Sequence, residues 1–146
     1  DARVRLYSAD GALAPLGTLD GARSPITALA FSPDGALLAA GEGSGKIRVY
    51  DVPRREVRLT QWVFHSARIS AIAWAPDGRH AASASLDTHI YIWSVERPMR
   101  HVSVKNAHAG GANAVAWLSG TRLASAGADA ALRTYEWAPP IASEQS

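Results

Sequence analysis

The chain has 146 residues, of which 47% are hydrophobic and 19% charged, with a formal net charge of +2 at pH 7 and no cysteine. This is enough apolar sequence for one globular domain, and the small net charge gives no reason to expect a nucleic-acid or membrane surface. The absence of cysteine excludes disulfides, thiolate catalysis and cysteine metal sites. Because no apolar stretch approaches the roughly 18 residues of a membrane span and Asp1 opens directly into strand-like sequence, we expect a soluble intracellular protein without a signal peptide.

The first half of the chain is predicted to form strands only. Alternating apolar and polar side chains predict a strand over residues 3–8, after a turn at Asp1, and a second strand near residues 12–19. Residues 26–51 then contain three short strands separated by two turns. A fourth strand is expected near residues 57–63.

The clearest pattern is ISAIAWAPDGRHAASASLDTHIYIWS, residues 69–94. Two turns, at Pro76-Asp77-Gly78 and Leu86-Asp87-Thr88, divide it into three alternating runs. Proline fixes φ, aspartate caps the turn with its side chain, and glycine accepts positive φ. The segment is therefore predicted to be a β-meander, followed by a strand near residues 102–105 and by three more strands over residues 113–137.

These units recur with a fixed period. Aromatic residues that end the first strand of each unit lie 43 residues apart, at Phe31, Trp74 and Trp117. A second aromatic series has steps of 43, 43 and 42 residues: Tyr7, Tyr50, Trp93 and Tyr135. Repeats of about 40 to 45 residues with four strands each are typical of WD40 propeller blades. The predicted fold is all-β, a fragment of a WD40 β-propeller with about three and a half blades of four-stranded antiparallel sheets.

The predicted domain is a partial WD40 propeller over residues 1–137, followed by a disordered tail over residues 138–146. Its segments are the end of a blade, two full blades and a three-stranded last blade: 1–19, 26–63, 69–105 and 113–137. Propellers use roughly four to eight blades, so this ring cannot close. We expect the chain to be a piece of a longer protein that supplies the remainder of the propeller, and the isolated segment to self-associate through its unpaired edges.

One group of polar residues resembles a hydrolase triad. His65, Ser83 and Asp87 fall within one short window. On a propeller blade, however, His65 lies in the loop before the first strand, Ser83 on the second strand and Asp87 in the tight turn. Together with Trp93 on the third strand they can form one hydrogen-bonded row that fixes strand register.

The next unit repeats this group as His108, Ser125 and Asp129, with Tyr135 in the place of the tryptophan. A catalytic site would not normally be duplicated 42 or 43 residues later, and no Gly-x-Ser-x-Gly sequence supplies an oxyanion hole. We therefore predict two structural tetrads and no enzymatic activity.

The first complete blade lacks the tetrad. Ala22, Ala40 and Ser44 stand where the other blades have histidine, serine and aspartate. We expect this blade to rely on glycine turns and on packing from its neighbours, and to be the softest of the complete blades.

No cofactor or metal site is expected. His80, His89 and His101 lack the H-x-H or H-E-x-x-H spacing of metal ligands. The glycine-rich residues 41–45 open onto a strand rather than a helix, which favours a β-turn over a phosphate-binding loop. Basic residues around the outer strands indicate a solvated edge, with an acidic protein surface or a phosphate backbone as the alternative.

Loops before first strands and tight turns share one face of a propeller. This geometry exposes the surroundings of Arg68, Leu86 and Ala128, which are therefore possible partner contacts. The alternative is that they only line the rim of a blade.

The second half of the chain resembles the C-terminal part of the second propeller in the actin-interacting protein 1 (WD-repeat protein 1) family. Four short sequences carry the similarity: Leu86-Asp87 leading to Tyr91-Ile92-Trp93, Lys105-Asn106-Ala107-His108, Ala116-Trp117-Leu118, and Tyr135-Glu136-Trp137. The resemblance covers nearly all of residues 1–137 and is most specific over residues 62–137.

This resemblance implies a cytoplasmic, cytoskeletal role. Family members have two linked seven-bladed propellers, bind actin filaments together with cofilin, and promote disassembly of cofilin-decorated filaments. It implies no catalysis and no cofactor. The alternative from the residues alone is a generic WD40 adaptor in another multiprotein complex, such as ubiquitin, RNA-processing or trafficking machinery.

Overall fold

The computed structural model describes residues 2–139, and in that range all regular structure is β-strand. The thirteen strands are β1 (Val4–Tyr7), β2 (Pro15–Leu19), β3 (Ile26–Phe31), β4 (Leu37–Glu42), β5 (Ile47–Asp51), β6 (Glu56–Trp62), β7 (Ile69–Trp74), β8 (His80–Ser85), β9 (Ile90–Ser94), β10 (His101–Val104), β11 (Ala112–Ser119), β12 (Arg122–Gly127) and β13 (Leu132–Glu136). Residues 140–146, most of the predicted tail, lie outside the described range. No helix long and apolar enough to cross a membrane occurs among the described residues.

The strands form four antiparallel sheets in chain order. Strands β1 and β2 form a two-stranded sheet, β3–β6 and β7–β10 form four-stranded sheets, and β11–β13 form a three-stranded sheet. We refer to them as blades 1 to 4. The structure confirms the predicted all-β fold, an unclosed fragment of a propeller. Strand β2 begins at Pro15 rather than near residue 12, because Leu13 has a φ of +48° and Ala12 donates its N–H to Asp10 in a turn.

Aspartate-centred turns connect the first and second strands of blades 2 and 3. Asp34 accepts the Ser32 hydroxyl and the Ala36 N–H, and Asp77 accepts the N–H groups of Arg79 and His80. Such side-chain caps replace the backbone partners that the chain loses where it reverses direction. The Pro-Asp-Gly sequences therefore set the hairpins of these two blades.

Apolar clusters lie between successive blades. The largest joins blades 2 and 3 and contains Trp62, Trp74 and Trp93. The rings of Trp62 and Trp93 stack with their centroids 5.6 Å apart, a contact that contributes about 0.5 to 1.5 kcal/mol beyond its buried area. Separate clusters join blades 1 and 2 and blades 3 and 4. The apolar core of this fragment is thus formed between neighbouring blades.

An indole-to-carbonyl hydrogen bond also links successive blades. Trp74 on β7 donates its Nε1–H to the carbonyl oxygen of Ala30 on β3, at 2.9 Å. Trp117 on β11 donates in the same way to Ala73 on β7, at 2.9 Å. The 43-residue aromatic period therefore corresponds to a repeated contact between blades. Phe31, one period earlier, carries no such donor and is exposed.

The outer flank of blade 4 is apolar and open. Leu132 on β13 is 75% exposed and lines a shallow cleft of about 110 Å³ with alanines of β11 and β12. Among the described residues β13 pairs only with β12. This is the kind of surface that a further blade would cover.

Candidate functional site

A hydrogen-bonded row crosses blade 3 from its entering loop, the residues just before β7, to its third strand, β9. His65 Nδ1 lies 2.7 Å from Asp87 Oδ2, and His65 Nε2 lies 2.7 Å from Ser83 Oγ. Trp93 donates its Nε1–H to Ser83 Oγ at 2.8 Å. Because a carboxylate only accepts, Nδ1 carries the proton and Nε2 accepts the Ser83 hydroxyl proton. The structure thus brings together all four residues of the predicted tetrad.

Asp87 ties the entering loop of blade 3 to its tight turn. Besides the imidazole of His65, its carboxylate accepts the N–H groups of Ser66 at 3.0 Å and His89 at 2.9 Å. Burial acts to raise the pKa of Asp87, but these hydrogen bonds outweigh it and hold the pKa below its usual value. For His65 the effect of burial has the opposite sign and lowers the pKa, and it outweighs the hydrogen bond with Asp87, which acts to raise it. The imidazole is therefore neutral at pH 7.

Asp87, His65 and Ser83 are hydrogen-bonded in the same order as the residues of a catalytic triad, but a substrate has no access to the serine. Ser83 is completely buried, and its oxygen already accepts the indole proton of Trp93. A nucleophile must reach an external carbonyl next to preorganised oxyanion donors. The arrangement instead satisfies every polar group of an enclosed network, which fixes strand register.

Blade 4 repeats the network with two changes. His108 contacts Asp129 Oδ1 at 2.8 Å and Ser125 Oγ at 2.7 Å, and the Tyr135 hydroxyl replaces the indole at 3.0 Å from Ser125. Arg133 adds an ion pair, with Nη1 2.7 Å from Asp129 Oδ2. The hydrogen bond from His108, followed by the contact with Arg133, holds the pKa of Asp129 far below its usual value.

Blade 2 contains a different buried network, which the sequence interpretation missed. Glu42, at the end of β4, is buried and pairs with Arg48 Nε at 2.9 Å. Its other oxygen accepts the hydroxyls of Ser24 at 3.0 Å and Ser44 at 3.3 Å. This network supports the blade in addition to the predicted glycine turns and the packing from neighbouring blades, which Gly41 and Gly45 make against blade 3. Because a buried carboxylate needs partners, the glutamate that ends the apolar strand LLAAGE was the available signal.

The three possible partner contacts are exposed along one rim. Leu86 donates its N–H to the Arg68 carbonyl at 3.1 Å, which places the tight turn of blade 3 on its entering loop. Ala128 donates in the same way to Gly111 at 3.0 Å in blade 4, and Gly111 packs against Leu86. The three positions thus form a continuous surface over two blades. The Leu86 side chain is 47% exposed.

The remaining histidines have separate, local partners. His80 Nδ1 lies 2.7 Å from Asp77 Oδ2, and His89 Nδ1 accepts the Asn106 N–H at 3.0 Å. The ring of His101 packs against Phe64, with centroids 4.2 Å apart. Within residues 2–139 no group of three histidine or carboxylate side chains is placed to hold a metal ion. Residues 41–45 end β4 and enter a turn in which Gly45 has a φ of +94°.

Comparison with known proteins identifies the family. The family model described as "WD domain, G-beta repeat" (WD40) matches residues 13–51 and 57–94, together more than half of the chain. The chain belongs to the WD40 family. The matched segments extend from before the outer strand of blade 1 through the third strand of blade 3, so the 43-residue period is the WD40 repeat.

Two curated relatives and one solved structure resemble this WD40 chain. It is 46% identical over 59 residues to an uncharacterized WD repeat-containing protein of Schizosaccharomyces pombe, covering 40% of this chain and 10% of that protein. It is 39% identical over 70 residues to a 66 kDa stress protein of Physarum polycephalum, covering 47% of this chain and 12% of the relative. The chain thus spans about a tenth of the length of each relative.

A chain in the crystal structure of a mitotic checkpoint complex has a similar fold. The TM-score is 0.82 at 24% identity, and the alignment covers 92% of this chain and 42% of the other. At this level of identity the likeness concerns the WD40 fold alone.

Replacing Ser83 by alanine tests whether the WD40 tetrad is structural. The substitution removes the acceptor of Trp93 and the donor to His65 in a buried site, so we expect the free energy of unfolding to fall by about 1 to 3 kcal/mol. Chemical denaturation measures this change. Ser103→Ala, on the outer strand of the same blade, is the control and should change stability by less than about 0.5 kcal/mol. Equal losses in the two variants would contradict the structural role.

Proposed function

We propose that this WD40 segment is part of a non-catalytic scaffold for protein interactions. The observation that carries the proposal is the enclosure of Ser83 beneath Trp93, which leaves the triad-like residues no route to a substrate. Because the buried polar groups of blades 3 and 4 serve to fix strand register, we assign the function of the segment to its exposed surfaces. The exposed rim of Arg68, Leu86 and Ala128 supplies an apolar side chain beside a cation, a combination that suits a protein contact.

We further propose that the partners are actin filaments and cofilin, and that the protein works in the cytoplasm on the cytoskeleton. The support is the resemblance of residues 62–137 to the actin-interacting protein 1 family. In this role the protein binds filaments in the presence of cofilin and promotes their disassembly. Such an action needs only different affinities for two filament states, because a ligand shifts an equilibrium by its differential binding.

Co-sedimentation of the full-length protein with filaments tests this proposal. We expect the pelleted fraction to be larger with cofilin-decorated filaments than with bare filaments. No enrichment on cofilin-decorated filaments would refute the actin assignment and favour an adaptor role in another multiprotein complex. Partners recovered by affinity purification from lysate would then indicate which complex.

Two exposed leucines on opposite ends of the blades test the contact surface. Leu86 lies in the β8–β9 turn, and Leu118 lies beside the β11–β12 turn, at the other end of the strands. If the rim contacts the partner, Leu86→Asp weakens co-sedimentation severalfold, because it places a charge in an apolar contact. Leu118→Asp is the matched control and should leave binding unchanged. A larger loss of co-sedimentation for Leu118→Asp than for Leu86→Asp would indicate that the partner binds the opposite face.

A further inference from the structure

A basic pocket lies between the entering loop and the outer strands of blade 2. It has a volume of about 260 Å³ and is lined by three cationic side chains, one hydroxyl side chain and two aliphatic ones: Arg23, Lys46, Arg48, Thr60, Ile47 and Val63. Arg23 comes from the loop before β3, Lys46 from the turn before β5, and Thr60 from β6. Two separate segments, the loop with Arg23 and the turn and strand with Lys46 and Arg48, thus bring positive charge to one concave site.

The charge of this pocket is only partly neutralised. Arg48 is mostly buried, and its Nε contacts the buried carboxylate of Glu42 at 2.9 Å, which neutralises one cation and fixes the guanidinium. Arg23 and Lys46 are exposed and take part in none of the ion pairs found among residues 2–139. The pocket therefore has a net local charge of +2, with the remaining N–H groups of Arg48 held in a fixed direction.

The WD40 framework does not require these cations. The corresponding positions in blade 3, 43 residues further along the chain, are Ser66, His89 and Tyr91. In blade 4 the arginine recurs as Arg133, but there it pairs with Asp129, and alanines occupy the other two positions. The concentration of positive charge is specific to blade 2.

Blade 2 also has a backbone irregularity at this pocket. Ile47 pairs with Trp62, whereas Val49 pairs with Leu59, so β6 carries an extra residue opposite Arg48. Strands β9 and β10 of blade 3 pair without such a shift. Bulges change the direction of side chains and are common beside binding sites. This bulge contains Thr60, whose side chain lines the pocket.

We propose that this pocket binds the phosphate of a phosphorylated serine or threonine in a protein partner. A phosphomonoester carries about −1.5 to −2 charges at pH 7, which matches the net charge of +2, whereas a carboxylate carries half as much. The fixed fork of Arg48 and the mobile ammonium of Lys46 can donate to different phosphate oxygens. The inference rests on the proposed scaffold function, since its ligand is a segment of another protein, but it does not depend on actin.

The test uses the full-length protein and a fluorescein-labelled heptapeptide, Gly-Gly-Gly-phosphoserine-Gly-Gly-Gly, followed by fluorescence anisotropy. We expect saturable binding that inorganic phosphate competes away. The same peptide with serine should not bind measurably, and the glutamate version should bind at least tenfold more weakly. Removing two charge-assisted contacts in Arg23→Gln/Lys46→Gln should weaken binding by roughly tenfold or more.

A matched variant separates the pocket from general electrostatic attraction. Arg100→Gln/Lys105→Gln removes the same charge from exposed positions outside the pocket and should leave binding unchanged. Equal losses in both double variants, binding of inorganic phosphate without the phosphopeptide, or no binding of either probe would overturn the proposal. Because the actin assay uses a different readout, loss of phosphopeptide binding with retained co-sedimentation would reject the pocket and leave the scaffold function standing.

Discussion

Asp87→Ala should lower the free energy of unfolding by about 2 to 4 kcal/mol. The substitution leaves the buried Nδ1–H of His65 without an acceptor and removes the partner of two backbone N–H groups, those of Ser66 and His89. An unsatisfied buried donor costs about 1 to 3 kcal/mol, and hydrogen bonds to a charged acceptor are stronger than neutral ones. Urea denaturation of the variant beside the wild-type protein measures the change.

Asp77→Ala is the matched control for this prediction. Asp77 also accepts three hydrogen bonds, but they come from Arg79 and His80, two and three residues away, within one partly exposed turn. The carboxylate of Asp87 instead joins residues more than twenty positions apart. We therefore expect a loss of at most about 1 kcal/mol for Asp77→Ala. Similar losses in the two variants would mean that the row contributes only local turn stability.

Gly45→Ala should cost at least about 3 kcal/mol, because the glycine touches the backbone of the next blade. A Cβ at this position would lie 2.6 Å from the carbonyl oxygen of His65 and 2.9 Å from that of Ala67. The residue also has a φ of +94°, which an L-residue adopts only with strain. Relief would require blades 2 and 3 to separate. The expected result is a large fall in the melting temperature.

Gly35→Ala separates backbone strain from the clash between blades. Gly35 has a φ of +74°, but nothing lies within 4 Å of a Cβ placed there. We expect this variant to lose only about 1 kcal/mol, the cost of a left-handed conformation. If Gly35→Ala and Gly45→Ala were equally destabilising, the close approach of the two blades would not contribute to stability.

The sequence predicted the strands and turns because their determinants are local or periodic. Alternation over residues 69–75, the Pro-Asp-Gly turns and the 43-residue aromatic spacing each reflect a constraint that every blade must satisfy. The order of His65, Ser83 and Asp87 along the chain was likewise sufficient to propose their hydrogen-bonded row. Because the repeats of one chain can be compared with each other, a position at which one repeat departs from the others can be found from the sequence alone.

Features that occur in one blade only could not be predicted in this way. The pairing of Glu42 with Arg48 replaces the histidine network by different residues at different positions, so the comparison between blades showed only a missing tetrad. The bulge in β6 depends on pairing with β5 and leaves no pattern in either strand. Trp137 follows the last strand and packs on His80 of the neighbouring blade, a contact that no local pattern specifies.

The bonds from Trp74 to Ala30 and from Trp117 to Ala73 have a consequence for how such a chain can evolve. Each acceptor is a peptide oxygen, so it persists whatever side chain occupies that position. Mutation of the accepting residue therefore leaves the hydrogen bond between neighbouring blades in place. A blade can therefore differ from its neighbours in its internal polar residues, as blade 2 does, and can acquire a new ligand specificity. Its angle to the neighbouring blade stays the same.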